Sequence, residues 1–161
     1  MQPSPLPCDI TADVDALLAS ARALQRAARA GTTQRLLRGK NYGLLCETDD
    51  GEADLFRRAA SELGAHVSRI RPSLSELSTP GEVQHAARLL GRLYDAVECL
   101  GMAPALVRQV GDGAGVPVYD GLASARHPTA RLAVLLGGDA SEADNRRFVV
   151  QAVLLGSLDA G

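Results

Sequence analysis

The chain predicts an α/β domain: a four-stranded parallel sheet with helices on both faces. Two observations carry this. Short apolar runs alternate with longer stretches of helical period along nearly the whole chain, and such alternation gives a parallel sheet joined by right-handed crossovers. The stretch Val116-Pro117-Val118-Tyr119-Asp120-Gly121-Leu122, followed by His127-Pro128-Thr129-Ala130 and an apolar run to Leu136, reads as a buried strand, a loop and a helix start. In open α/β sheets, ligands bind beyond the carboxyl ends of strands, beside helix N-termini.

The elements follow in order. Val14, Leu17, Leu18, Ala21 and Leu24 recur at helical spacing and place a first helix over 11–30, stopped by Gly31. A basic connection, Arg35 to Lys40, leads to a strand over Tyr42 to Cys46. Asp49-Asp50-Gly51-Glu52 opens a helix that lines up Leu55, Phe56, Ala59, Ala60 and Leu63 and ends at Gly64. His66 to Ile70 is the second strand. Thr79-Pro80-Gly81-Glu82 is a capping box with proline at the first helical position, and its helix runs to Leu93. Ala96 to Leu100 is the third strand and Pro104 to Val110 a short helix. Gly111-Asp112-Gly113-Ala114-Gly115 is expected to be a turn before the fourth strand, Val116 to Tyr119. A helix is expected over 128–136, a linker at Gly137 to Ser141, and a last helix from Glu142 to Leu158, capped by Ser141.

Composition narrows the function. The 161 residues suffice for one full core, with 46% hydrophobic and 22% charged residues and a formal net charge of −2. With no long basic run and 3% aromatics, nucleic acid is not indicated as a partner. Cys8, Cys46 and Cys99 lack metal-ligand spacing and read as small buried hydrophobes. No apolar run reaches the roughly 18 residues of a membrane helix, and Met1 to Pro7 lack a signal-peptide layout. The expectation is a cytoplasmic protein with no cofactor and no metal. The Gly-x-Gly-x-Gly at 111–115 follows a helix and precedes a strand, the wrong context for a dinucleotide loop.

Five segments in order resemble the ornithine and aspartate carbamoyltransferases. They are Leu37-Arg38-Gly39-Lys40 before a strand, Leu63-Gly64-Ala65-His66, Pro80-Gly81-Glu82, Tyr94-Asp95-Ala96, and His127-Pro128-Thr129 after a Val-Pro-Val strand. Glu142 to Leu158 resembles the family's C-terminal helix. The resemblance implies strand order 2-1-3-4 and a domain plan: a flexible stretch 1–10, a carbamoyl-phosphate-type domain 11–136, a linker 137–141 in place of the amino-acid domain, and a returning helix 142–161. Thr129 matches the aspartate type, whereas Leu63 to His66 and the last helix lean to the ornithine type.

The chemistry implied by that resemblance is missing at most positions. The family holds phosphate with Ser-Thr-Arg-Thr-Arg at the first strand–helix turn; the matching residues here are Asp49, Asp50, Gly51, Glu52 and Ala53. Like charges roughly 5 Å apart at an effective dielectric near 20 repel by about 3 kcal/mol, so three carboxylates there oppose a phosphate. The family's arginine after the third strand matches Leu100, its loop lysine Pro80, and its glutamine Ala130. His127, Pro128 and Thr129 alone remain, with His127 vestigial rather than catalytic. Asp49, Asp50 and Glu52 read as helix caps before they read as a Mg²⁺ or Ca²⁺ site. The expectation is a degenerate, inactive protein acting in assembly or regulation, as a homo-oligomer (a trimer by resemblance) or on a full-length carbamoyltransferase. The alternative is a sensor or repurposed transferase that takes an amino acid, amine or metal in the crevice formed by Asp49, Asp50, Gly51, Glu52, His127, Pro128 and Thr129.

Overall fold

The computed structural model describes the backbone of residues 7–159 and the side chains of 14–158. The expected flexible stretch 1–10 lies partly outside the described residues, and the first helix begins earlier than Thr11. Helix α1 spans Pro7–Arg29, strand β1 Asn41–Leu45, α2 Gly51–Glu62, β2 His66–Ile70, α3 Pro80–Leu93, β3 Ala96–Cys99, α4 Pro104–Ala114 and β4 Val118–Asp120. A single 3₁₀ turn, Pro128–Arg131, leads into α5, Leu132–Leu136, and α6 runs Glu142–Asp159. The four strands are parallel in the order β2-β1-β3-β4, as the sequence predicted.

Alternation along the strands divides the core into two. Tyr42, Leu44, Ala96 and Leu100 point to the face covered by α1, α2 and α6, where Phe56, Leu63, Phe148 and Leu154 are fully or nearly buried. Leu45, Val97 and Cys99 point to the other face, against Val83, Leu90, Val107 and Val110 of α3 and α4. This is the burial of both faces that a parallel sheet requires. Helix α6 is enclosed by α1, α2 and α5, so even its Asn145 and Gln151 are buried. Their polar groups are matched: Gln151 donates to the Ala59 carbonyl and the Glu62 carboxylate, each at 3.1 Å. Asn145 donates to the carbonyls of Ala133 and Gly137 at 3.3 and 3.0 Å.

Local chemistry sets the boundaries. Thr79 and Glu82 form the expected reciprocal capping box on α3. Gly64 turns the chain out of α2 at φ +96°. The expected turn at 111–115 is a correction: Gly111 to Ala114 are helical, and Gly115 alone takes the left-handed conformation, at φ +73°. The glycines serve close helix packing instead. A Cβ on Gly113 would lie 3.0 Å from the Ala87 Cβ across the α3–α4 contact. Strand β4 starts two residues later than expected, because Pro117 has no N–H for the ladder, although its carbonyl still accepts from Val97 N at 2.9 Å. The single helix expected over 128–136 is divided, its first turn tightened by an Ala130 N to His127 carbonyl bond of 2.9 Å.

Candidate functional site

The strand order reverses between β1 and β3, so the loops that follow them leave toward opposite faces. Beyond those strand ends lies an open crevice of about 560 Å³, bordered by Glu52, Asp120, Ser124, Arg126, His127 and Pro128. Glu52 and the His127-Pro128 pair, far apart in sequence, thus line one crevice. Asp49, Asp50, Gly51 and Thr129 do not line it.

Each of those side chains has its own work. Asp49 takes a hydrogen bond from Arg57 Nη2 at 2.8 Å, and that bond holds its carboxyl below the usual range. Asp50 is the cap of α2: its Oδ1 accepts from the backbone N–H groups of Glu52 at 3.0 Å and Ala53 at 3.1 Å. Gly51 begins the helix with open space around its Cα. Glu52 reaches the other way, and its Oε1 accepts from Ala125 N at 3.5 Å. The three carboxylates therefore diverge. Among the described residues, no group of three or more His, Cys, Asp or Glu side chains could hold a metal ion.

His127 caps the 3₁₀ turn. Its Nδ1 accepts from Thr129 N at 3.2 Å and lies 2.8 Å from Thr129 Oγ1, which places the neutral ring's proton on Nε2. Burial, reinforced by Arg146 and opposed by Asp120, moves its pKa below 6.5. Pro80 sits at the first position of α3, Leu100 is in the core and Ala130 is in the 3₁₀ turn. None of these three offers a group to an anion.

Two residues near the crevice escape pattern reading. Glu98, on β3, is fully buried, and its carboxylate accepts from Leu122 N at 3.0 Å and Ala123 N at 2.9 Å. Burial pushes its pKa up to about 8, against the pull of those N–H bonds. Arg146, on α6, donates to the Ser124 carbonyl at 3.2 Å, while its buried Nη1 has no partner. Burial lowers its pKa, opposed by Glu52 and Glu142. A charge inside the apolar run Ala96 to Leu100 was the available signal for Glu98. Arg146 had none, because its contact depends on how α6 packs.

The strand order and the switch-point crevice define a doubly wound α/β domain. Sequence and structure comparison make this specific. The chain is 41% identical over 125 residues to ornithine carbamoyltransferase of Actinobacillus pleuropneumoniae, a match of 77% of this chain and 37% of that protein. It is 40% identical over the same length to the catabolic ornithine carbamoyltransferase of Haemophilus influenzae. Ornithine carbamoyltransferase from Pyrococcus furiosus superposes with a TM-score of 0.67 at 25% identity, over 77% of this chain and 40% of that one. A putative aspartate carbamoyltransferase of Leishmania major gives 0.63 at 26% identity, over 78% and 39%. No protein-family model matches. The chain is thus similar to the ornithine and aspartate carbamoyltransferases over about three quarters of its length, and the match spans about two fifths of the length of these relatives.

Proposed function

We propose that this chain is a carbamoyltransferase-type domain that does not bind carbamoyl phosphate in the family's manner and acts in assembly or regulation. On this reading it is a cytoplasmic pseudoenzyme. It self-associates or docks on a full-length carbamoyltransferase. The observation that carries the reading is the Asp50 cap. An anion at the start of α2 needs that helix's free N–H groups. Asp50 already occupies those of Glu52 and Ala53, and no arginine replaces the family's pair in the turn.

The segment 137–141, read as standing in place of the amino-acid domain, is tied down at several points. Gln25 donates to the Gly137 carbonyl and to Asn145 Oδ1, each at 2.9 Å, and Arg29 pairs with Asp139. The test combines calorimetric titration with carbamoyl phosphate, product assays with ornithine and with aspartate, and light scattering after size exclusion. Expected are no binding, no citrulline or carbamoylaspartate above blank, and a mass above the monomer. Carbamoyl transfer well above blank would overturn the inactivity, and a strict monomer that ignores a full-length carbamoyltransferase would overturn the assembly role.

A second reading rests on the carboxylates of Glu52 and Asp120 at the crevice. They favour an amine or amino acid as ligand. A thermal-shift screen of amines and amino acids tests it, with shifts above about 2 °C expected for a true ligand.

A further inference from the structure

We propose that α3 carries a self-association seam: two copies of this chain pack their α3 helices antiparallel about a twofold axis, and Leu89 and Leu93 of each cover the apolar groove of the other. This names a surface for the self-association proposed above and rests on that part of the reading alone. Two large apolar side chains, one turn apart on α3, stand in water: Leu89 is 45% and Leu93 64% exposed. They border an apolar groove of about 260 Å³ that Ile70 and Leu74 also line. The fold explains why this groove is open. Strand β2 is an edge of the sheet, and α4 packs on the opposite flank of α3, at Ala87 and Gly91. The edge strand itself is a poor partner. It presents exposed His66 and Arg69, and charged side chains on an edge oppose strand pairing. The contact therefore falls to the helix.

The pattern on α3 identifies the occupant as a second copy. Glu82, Ala86, Leu89 and Leu93 recur at alternate intervals of four and three residues, the spacing of a helix–helix seam. Laid antiparallel on itself, that series is its own complement. The small Ala86 meets the second copy's Leu89, and Leu89 meets its Ala86, so large and small side chains interdigitate. The same alignment brings Glu82, at the start of α3, to Arg92 near the end of the other helix, once on each side of the axis. These charges are free to pair. Both residues are exposed, and among the described residues neither forms an ion pair within the chain. The capping box engages Oε2 of Glu82, which leaves Oε1 to accept from the arginine. A contact in which residue i meets j and j meets i is isologous and closes at two copies.

Sedimentation velocity on the whole chain at high micromolar concentration tests this. The wild type should sediment as a dimer. The double variant Leu89→Glu/Leu93→Glu changes two exposed positions and should sediment as a monomer with unchanged circular dichroism. Arg92→Glu sets like charges against each other at both ends of the seam and should raise the dimer dissociation constant roughly tenfold. Should the double variant not fold, cross-linking decides. Ala86→Cys mixed with Leu89→Cys should form more disulfide-linked dimer under mild oxidation than either variant alone, and no excess in the mixture would overturn the antiparallel seam. A trimer, or a dimer that survives Leu89→Glu/Leu93→Glu in folded protein, would overturn the seam and leave self-association standing. A strictly monomeric wild type would overturn both. The proposed inactivity stands or falls separately, since no arm of the test uses a substrate.

Discussion

Replacing Gly91 by alanine asks whether α3 and α4 pack as closely as their glycines suggest. A Cβ at Gly91 would stand 1.8 Å from the Ala114 carbonyl oxygen and 2.8 Å from its carbon. The obstacle is backbone in the last turn of α4, so no rotamer change relieves it. The helices must separate by roughly 1 Å or more in a region packed to interior density. Overpacking of this kind costs about 1–3 kcal/mol, and a rigid obstacle belongs at the upper end. Alanine returns about 0.5–1 kcal/mol through backbone entropy, which leaves a net loss of about 2 kcal/mol. Gly111→Ala is the matched control. It lies inside α4, and its added methyl meets the Val118 Cβ at an ordinary 3.7 Å, so it should stabilise by about 0.5–1 kcal/mol. Urea denaturation of both variants against the wild type measures the difference. Gly91→Ala at or above wild-type stability would refute the close packing. A clear loss in Gly111→Ala would mean that 111–115 is a turn after all.

The other expectations use the same measurement. Asp50→Ala should cost about 1 kcal/mol by stripping the cap from α2, and Asp50→Asn should restore most of it. Asn145→Ala should cost about 1–2 kcal/mol, because the buried Ala133 carbonyl loses its side-chain donor, while the Gly137 carbonyl keeps Gln25. Glu98 has its folded pKa raised, so its contribution is complete below the ordinary carboxylate range and is lost as pH rises through about 8. Wild-type stability should fall across that window by at most about 5 kcal/mol, and Glu98→Gln should not show this fall.

What was legible in the sequence was whatever short-range chemistry determines. The α3 start could be read because Thr79, Pro80 and Glu82 act within one turn. Strand β2 came out with its exact ends, since Gly64 and Lys40 bracket the β1–β2 pair: His66 N donates to the Lys40 carbonyl at 2.8 Å. The glycines of α4 misled because glycine favours turns locally, whereas their reason here lies on another helix, at Gly91 and Ala87. At the site, the parallel order brings Glu52 and His127 to one crevice, whereas Gly51, read beside His127 from the sequence, does not line it. Glu98 was hidden because its partners, Leu122 and Ala123, are 24 and 25 residues away. Asp49 and Asp50 were legible as helix-start residues, but their division of labour, one to Arg57 and one to the backbone, needed coordinates.

On the proposed reading, the loss of anion chemistry goes deeper than missing arginines. A phosphate site at a switch point is built from converging backbone N–H groups. Here those donors are already taken by acceptors from the chain itself. Asp50 holds the N–H groups of Glu52 and Ala53, Glu98 those of Leu122 and Ala123, Glu52 that of Ala125, and His127 that of Thr129. Four side chains from three segments occupy N–H groups that, on this reading, an incoming anion would need. Restoring arginines at Gly51 and Ala53 alone would add charge while leaving every one of these donors occupied, and Ala53 is fully buried, so the second arginine would also break the α2 packing. Recovery of phosphate binding therefore requires removal of Asp50 first. On the proposed reading this ordering sets a site occupied by its own side chains apart from one that has merely lost a residue.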